Sequence, residues 1–536
     1  MTNKRTGFVK QAMFLSVCGI IVRIIGVIYS IPLTNIIGDL GNGYYSSAYN
    51  MYSIILLICS YSVPMAISKI VSEKSAIGEY KTAHRIFRCS VIYVVAVSAL
   101  AAILTYIFAP GIVDVPEAVT AMRILAPTIF ISGCLSVLRG YFQAQNTMIP
   151  TAISQLLEQV FNAIFSILAA YLWVKAYQGM DENLTARYGA AGGAVGTGVG
   201  VIIGFLFLLI TYMAYRPVYR KRLVRKSDRY IISYPDAYKM IFRMVTPVII
   251  STCIYNISTV LDMKIFYWIS EWKQEDVDAT VRLYGIFSRK FNPLANVPIA
   301  IASSMVAALV PEISMAYAKK EIGEVKQNVG NAMKYSMLFI IPAFCGMAVL
   351  SRPIIDFLYP GSDKAAVYLL RFGGLSILFS SVSTVLNGVL QGIGKVSVPM
   401  KNAAAALVLH ILLLVPLLMF TELKVYAILL AASIYGVVIS VLNYRAIIKY
   451  LGYHQELKKT FGVPFSAAGV MSLCAWLIYK SIYILGEAWI PSQTVKGGLA
   501  VILSVIVAVF VYFFIVIKFG YTKEEVQKIP LLSKLF

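Results

Sequence analysis

The sequence is poor in charged residues. Only 13% of its 536 residues are Asp, Glu, Lys or Arg, whereas 59% are apolar and the mean hydropathy is +0.76. A soluble domain carries about 25% charged residues, because its surface faces water. The shortage of charge therefore excludes an ordinary soluble protein and indicates that much of the surface faces lipid.

Acidic residues, histidines and clustered cysteines are also scarce. The chain has 25 Asp and Glu against 47 Lys and Arg, and only 3 His. Its 7 cysteines are dispersed without a C-x-x-C motif or a neighbouring His, so neither a zinc site nor a disulfide framework is predicted. No H-E-x-x-H, G-x-S-x-G or Walker A motif occurs. We therefore expect no enzymatic activity, no metal and no cofactor.

Long apolar runs are what the sequence has in abundance. Runs of about 20 residues, enough to cross a hydrocarbon core of about 30 Å, recur along the whole chain. Backbone amides in lipid need internal partners, so these runs must be helices. The approximate predicted spans, about fourteen in number, are 9–37, 44–68, 89–109, 118–142, 149–173, 188–215, 240–269, 283–310, 335–359, 366–390, 399–420, 425–448, 461–484 and 498–517.

The basic residues are placed asymmetrically between these spans. With the N-terminus in the cytoplasm, about two thirds of the Lys and Arg fall in cytoplasmic segments, which is the positive-inside pattern. The connection 216–243 is strongly basic, whereas 271–278 on the opposite side is acidic. We predict that both termini are cytoplasmic and that the net charge of +22 meets anionic lipids, not nucleic acid.

Several short motifs recur at nearly the same spacing. Gly140 and Gln143 return as Gly388 and Gln391, both 248 residues later. Three further pairs of matching motifs occur in the same order in the two halves of the sequence, at similar offsets. A repeat of six helices, an even number, enters the membrane twice from the same side and therefore predicts two parallel lobes.

The repeat gives a predicted domain organisation. An N-terminal lobe of six helices covers 1–225, a C-terminal lobe of six helices covers 226–455, and two additional helices with a cytoplasmic tail cover 456–536. The sixth span also carries glycines at every fourth position, which predicts close helix packing. These glycines are Gly192, Gly196, Gly200 and Gly204.

Charged residues inside the spans are the candidate binding residues, because each costs about 3 kcal/mol at the centre of a bilayer. The basic candidates are Arg23, Arg123, Lys264, Arg289, Lys290 and Arg371. Two acidic candidates, for ion coupling or charge pairing, are Glu158 and Asp262. The basic excess predicts an anionic ligand, and the planar guanidinium of arginine suits phosphate because it can bond two oxygens at once.

Other interpretations of these residues remain open at this point. Arg23, about fourteen residues deep, could pair internally with Glu158 or Asp262. Residues nearer the surface could extend to the headgroups. These are Arg123, Arg289 and Arg371. His410 in the eleventh span is expected to be a polar packing residue.

Two stretches carry a resemblance to a known family. Arg139-Gly-Tyr-Phe-Gln143 with Pro150 and Glu158-Gln159, and Arg23-Ile-Ile-Gly26 in the first span, resemble the polysaccharide-flippase branch of the multidrug/oligosaccharidyl-lipid/polysaccharide (MOP) exporter superfamily. Within that branch the chain is most similar to the MurJ-type lipid II flippases and their sporulation relative SpoVB. The resemblance covers essentially the whole chain.

The resemblance implies a fold of fourteen helices in MATE-like lobes, with a cationic cavity in which Arg23 and Arg289 are essential. It also implies a peptidoglycan precursor linked to undecaprenyl pyrophosphate, moved outward by alternating access in the bacterial plasma membrane, with a role in cell-wall synthesis and cell shape. Cell-wall synthesis enzymes are possible partners. The second span lacks the Arg pair of Gram-negative relatives, so Arg123, Lys264 or Arg371 would complete the pyrophosphate site.

Three alternatives to a lipid II flippase stay open. One is a flippase for another lipid-linked polysaccharide precursor, because the pyrophosphate is common to both. A second is a cation-coupled drug exporter of the same superfamily, which would depend on an acidic residue such as Asp262. A third is a scaffold for cell-wall enzymes that transports nothing.

Overall fold

The computed structural model describes residues 2–61, 63–145, 147–225, 231–486 and 493–519, and within those ranges every regular element is a helix. The α-helices are α1 Thr2–Leu56, α2 Val63–Ala76, α3 Tyr80–Ile107, α4 Ala109–Ile112, α5 Val119–Ala144, α6 Ile149–Tyr177, α7 Glu182–Arg225, α8 Tyr234–Trp272, α9 Val277–Ile286, α10 Asn292–Ala318, α11 Ile322–Val349, α12 Ser351–Leu358, α13 Lys364–Phe372, α14 Gly374–Gly392, α15 Ser397–Phe420, α16 Val425–Leu451, α17 Val463–Leu485 and α18 Gln493–Phe519. Short π-helices cover Leu57–Tyr61, Phe287–Phe291 and Lys458–Gly462, and a 3₁₀-helix covers Pro116–Ala118. The predicted all-α class is confirmed.

The number of membrane-spanning helices agrees with the apolar runs. Among the described residues, 12 helical stretches are long and apolar enough to cross a membrane. The first of them, Cys18–Ser60, has 43 residues and overlaps both of the first two predicted spans. The seventh predicted span lies in α8, which is 39 residues long and is not among those stretches. About fourteen crossings are therefore consistent with the structure.

The connection predicted between the first two spans is instead a break inside α1. Gly38 has φ 74° and ψ 171°, a conformation that is open essentially only to glycine. The side-chain amide of Asn42 donates hydrogen bonds to the carbonyls of Thr34, at 2.8 Å, and of Gly38, at 2.6 Å. These bonds satisfy backbone oxygens that the break leaves without helical partners. The chain therefore turns at one residue and continues as helix on both sides.

In the first compact unit, Met1–Gly285, the glycines of α7 form a packing surface. A Cβ atom added at Gly196 would overlap Ser166, and one added at Gly200 would overlap the carbonyl of Glu158, both on α6. Small residues allow two helix backbones in a membrane to approach closely. The predicted packing role of these glycines is confirmed. Because one face of α6 contacts α7, only its other faces are available to further helices.

The second compact unit, Ile286–Phe536, has its own apolar core. Buried side chains of α10, α11, α14 and α16 belong to it, and so do residues of the additional helices α17 and α18. Tyr512 of α18 donates a hydrogen bond of 2.7 Å to the carbonyl of Leu338 in α11. The last two helices are therefore anchored to the body of this unit.

The compact units divide the chain at Gly285 by their internal contacts, so α8 lies in the first unit. The lobe boundaries that the repeat predicts, after residues 225 and 455, stay a prediction. The end of the predicted cytoplasmic tail, 520–536, and part of the basic connection, 226–230, lie outside the described residues.

Candidate anion-binding site

Arg23 lies on a polar seam between α1 and α6. A Cβ atom at Gly26 would contact Nε2 of Gln159 at 3.4 Å, and the side-chain amide of Asn162 donates to the hydroxyl of Tyr29 at 3.3 Å. Both pairs advance by three residues in the same direction, so the two helices run parallel here. One turn earlier, Arg23 therefore lies near the level of Leu156, two residues before Glu158.

The side chain of Arg23 is exposed in the unit. Among the described residues it has no ion-pair or hydrogen-bond partner. An arginine in a hydrophobic span without an internal counter-charge favours an external anion. The internal pairing of Arg23 that the sequence left open is not formed in this structure.

Glu158 is paired instead with Arg139 of α5. Nη2 of Arg139 donates to Oε2 of Glu158 at 2.6 Å, and Nε donates to the hydroxyl of Ser154 at 3.1 Å. The two charged side chains are 13% and 27% exposed. In the first unit, a partly buried, charge-assisted hydrogen bond thus joins α5 and α6. Of the two roles predicted for Glu158, the structure shows charge pairing.

Arg139 is the functional candidate that sequence reasoning missed. Its neighbours identified the family motif, but its charge was not counted because it lies at the end of an apolar run. One signal could have found it. In a helical hairpin with the short connection 145–148, residues at similar distances from the turn face each other, and this places Arg139 opposite Ser154. The long arginine side chain then reaches one helical turn further, to Glu158.

Lys264 and Arg123 lie at the opposite end of these helices and have local partners. Nζ of Lys264 is 2.8 Å from Oδ1 of Asp114 and 3.2 Å from the carbonyl oxygen of Ile112. The guanidinium of the exposed Arg123 lies over the ring of Tyr106, 5.6 Å from its centroid. The structure does not bring these two residues to the seam that carries Arg23.

Asp262 is nearly buried in α8, close to a hydrogen-bonded group of polar side chains. Asn50 donates to Tyr284 at 2.9 Å and contacts the sulfur of Met263 at 3.5 Å. In the part of the chain that the structure describes, no group of three or more His, Cys, Asp or Glu could hold a metal ion. The role of Asp262 in ion coupling or charge pairing stays a prediction.

In the second unit, Arg289 and Lys290 lie together in the π-helix Phe287–Phe291. Nζ of the buried Lys290 donates to the hydroxyl of Ser362 at 2.7 Å and lies 5.7 Å from the ring centroid of Tyr359. Isolated π-helical turns are frequent at functional sites.

Two other predicted residues of this unit have ordinary neighbours. Arg371 is exposed near the end of α13, where its Nε donates to the hydroxyl of Ser351 at 3.3 Å. His410 is buried against the edge of Tyr435, with ring centroids 5.8 Å apart. The packing predicted for His410 agrees with this position.

Comparison with known proteins places the chain in a family. The model for polysaccharide biosynthesis proteins matches residues 8–317, more than half of the sequence, and the MatE model matches residues 247–415. The chain belongs to the polysaccharide biosynthesis protein family. The resemblance found from Arg139 to Glu158 is thereby confirmed.

Relatives of this polysaccharide biosynthesis protein include two from Bacillus subtilis (strain 168). The lipid II flippase MurJ is 24% identical over 74% of this chain and 74% of its own, and stage V sporulation protein B is 24% identical over 74% and 75%. A solved structure of lipid II flippase MurJ in an inward closed conformation matches with a TM-score of 0.67 and 16% identity, over 94% of this chain and 98% of that one. The fold of this multi-pass membrane protein is therefore that of MurJ.

Proposed function

We propose that this protein moves a lipid-linked glycan precursor across the bacterial plasma membrane, and that the glycan carrier is an undecaprenyl pyrophosphate such as that of lipid II. The observation that carries the proposal is Arg23, an exposed cation in the middle of a hydrophobic span, with no counter-charge among the described residues. Retaining such a charge costs about 3 kcal/mol, which an anionic ligand would offset. The name of one relative, lipid II flippase MurJ, supports the same cargo.

Arg23 and Arg139 of the first unit are the arginines that we assign to the pyrophosphate. Arg23 would bind it directly, because its donors are unused within the described residues. Arg139 would bind it by exchanging Glu158 for a phosphate oxygen, since both anions accept the same guanidinium donors. Arg289 lies in the second unit beside the well-anchored Lys290, and its role in binding the cargo stays a prediction. No catalysed reaction is needed, because flipping makes and breaks no covalent bond.

The direction of transport follows from charge. We expect export from the inner to the outer leaflet, with both termini in the cytoplasm. An inside-negative potential contributes about 2.3 kcal/mol per 100 mV for each negative charge that leaves the cell. A pyrophosphate carrier could therefore be driven outward without ATP.

Complementation tests this proposal. In a bacterial strain depleted of its lipid II flippase, we expect the wild-type chain to restore growth and Arg23→Ala to fail at equal membrane abundance. The matched control is Arg445→Ala, an exposed arginine near the end of α16, which should restore growth like the wild type. A wild-type chain that inserts normally but does not rescue would exclude lipid II and favour another lipid-linked glycan.

A cation-coupled drug exporter gives the opposite result. In that case Asp262→Asn would abolish transport and Arg23→Ala would leave it intact. Equal transport by both variants and the wild type would contradict both residue assignments, whereas a correctly inserted wild type that transports nothing would favour a scaffold.

A further inference from the structure

A groove lies between α3 and α8 of the first unit, away from the seam that carries Arg23. Two adjoining hollows of about 390 Å³ and 450 Å³ share Lys239 and Arg243 as lining residues. Tyr93 of α3 and Tyr238 and Phe242 of α8 line the larger hollow. The groove thus combines two cations with an aromatic wall.

The positive charge of the groove has a fixed geometry. Lys239 and Arg243 are both exposed and lie four residues apart, so they project from one face of α8. The one acidic lining residue, Asp236, accepts a hydrogen bond of 2.6 Å from the hydroxyl of Ser233 at the helix start. Its carboxylate keeps its negative charge, so the two basic side chains leave the lining with a net positive charge.

The wall of the groove is anchored to α3. Nη1 of Arg85 donates to the carbonyl of Ile232 at 2.7 Å, and its guanidinium lies 4.6 Å from the ring centroid of Tyr234. These contacts hold the segment that precedes α8 in place beside α3. The basic pair therefore projects from a helix whose start is fixed.

The apolar part of the groove faces the membrane. Phe242 is 59% exposed, although it lies on the helix that carries the seventh predicted span. The charge pattern places this end of α8 at the inner headgroups, directly after the basic connection. Cations at headgroup depth beside exposed aromatic surface match a phosphodiester with attached acyl chains.

We propose that this groove binds an anionic phospholipid, with Lys239 and Arg243 holding the phosphodiester and with Tyr93 and Phe242 contacting the acyl chains. The arginine can bond two phosphate oxygens, and the lysine adds a point charge one turn away. This site is independent of the proposed cargo, because its residues are not those of the seam. The experiment separates binding of a lipid phosphate from binding of a free anion from solution.

The test measures lipid bound to the full-length protein in neutral detergent by native mass spectrometry. Phosphatidylglycerol and phosphatidylcholine are titrated against the wild type, Lys239→Gln/Arg243→Gln and Arg445→Gln/Lys449→Gln. The last variant is a matched control, because it removes an exposed basic pair with the same spacing near the end of α16. Each basic residue near an anionic lipid contributes about fivefold in affinity, so we expect at least tenfold weaker phosphatidylglycerol binding in the groove variant only.

Three results would overturn the site. Equal losses in both double variants would mean non-specific charge, and no loss in either would mean that the groove does not bind the lipid. Displacement of phosphatidylglycerol by millimolar inorganic phosphate would assign the groove to a free anion. If the double variant does not fold, the single variants Lys239→Gln and Arg243→Gln decide the question by the same measurement.

Discussion

The ion pair between Arg139 and Glu158 should contribute measurably to stability. The perturbation is a double-mutant cycle of Arg139→Gln, Glu158→Gln and the two together. Unit charges about 4 Å apart interact by about 4 kcal/mol at an effective dielectric constant of 20. Because both side chains retain some exposure, 13% and 27%, solvent screening and desolvation reduce the net coupling, and we expect about 2 kcal/mol.

Each single substitution should cost more than the pair is worth. It leaves the partner's charge without its 2.6 Å contact, and we expect a loss of about 2 to 3 kcal/mol. The double variant should lose about 2 to 4 kcal/mol, which is less than the sum of the two single losses by the coupling energy, because neither charge then remains. The hydrogen bond from Arg139 to Ser154 disappears in both arginine variants and therefore cancels in the coupling energy.

The assay is the free energy of unfolding in mixed micelles, measured for the wild type and the three variants under one set of conditions. Arg123→Gln is the control, since it removes an exposed arginine from the same helix and should change stability by less than about 0.5 kcal/mol. Additivity within about 0.5 kcal/mol would refute the energetic role of the pair. A destabilised control would show instead that any lost positive charge on α5 has the same effect.

Two further predictions concern local structure. Gly38→Ala should destabilise the protein by about 1 to 3 kcal/mol, because alanine cannot easily adopt φ 74° and ψ 171°. The control Gly19→Ala, in open space within the same helix, should be neutral or stabilising. Thermal unfolding of both variants is the measurement, and equal midpoints would contradict the backbone strain at Gly38. If Lys264 serves only as the partner of Asp114, Lys264→Met and Asp114→Leu should each lower the stability of the protein, and the double variant should transport like the wild type. Loss of transport in both variants that lack Lys264, but not in Asp114→Leu, would assign Lys264 to the ligand.

The helices were predictable from sequence because hydrocarbon imposes one requirement on the backbone everywhere. Apolar runs of sufficient length can only be helices in lipid, so fold class and approximate spans followed directly. The break in α1 was harder. The gap between the predicted spans 9–37 and 44–68 indicates a connection, whereas the side chain of Asn42 supplies the missing hydrogen bonds and lets the helix resume at once.

The charged residues were predictable as a set, but their partners were not. Depth in an apolar run identified Arg23, Glu158 and Lys264 without showing which charges meet. Asp114, the partner of Lys264, lies in a connection that an argument from spans ignores. Which charged side chains pair depends on how each helix is rotated about its axis and on the course of the connections. Neither produces a periodic pattern that can be read from the sequence.

The repeat allows the Arg139–Glu158 ion pair between α5 and α6 to be compared with the equivalent positions of the second half. At the offset of 248 residues, Arg139 corresponds to Asn387 and Ser154 corresponds to Asn402. In the second half these positions are joined through Asn443, which accepts from Asn402 at 2.9 Å and donates to Asn387 at 2.6 Å.

Neutral amides thus link the helices of the second half where an ion pair links those of the first. A link of this kind does not require charge, and taking two charges out of water carries a desolvation cost that neutral amides largely avoid. The charged version is therefore not explained by packing alone. It is explained if Arg139 must exchange Glu158 for another anion during transport, since an amide at that position could hold the helices together but would not attract a phosphate.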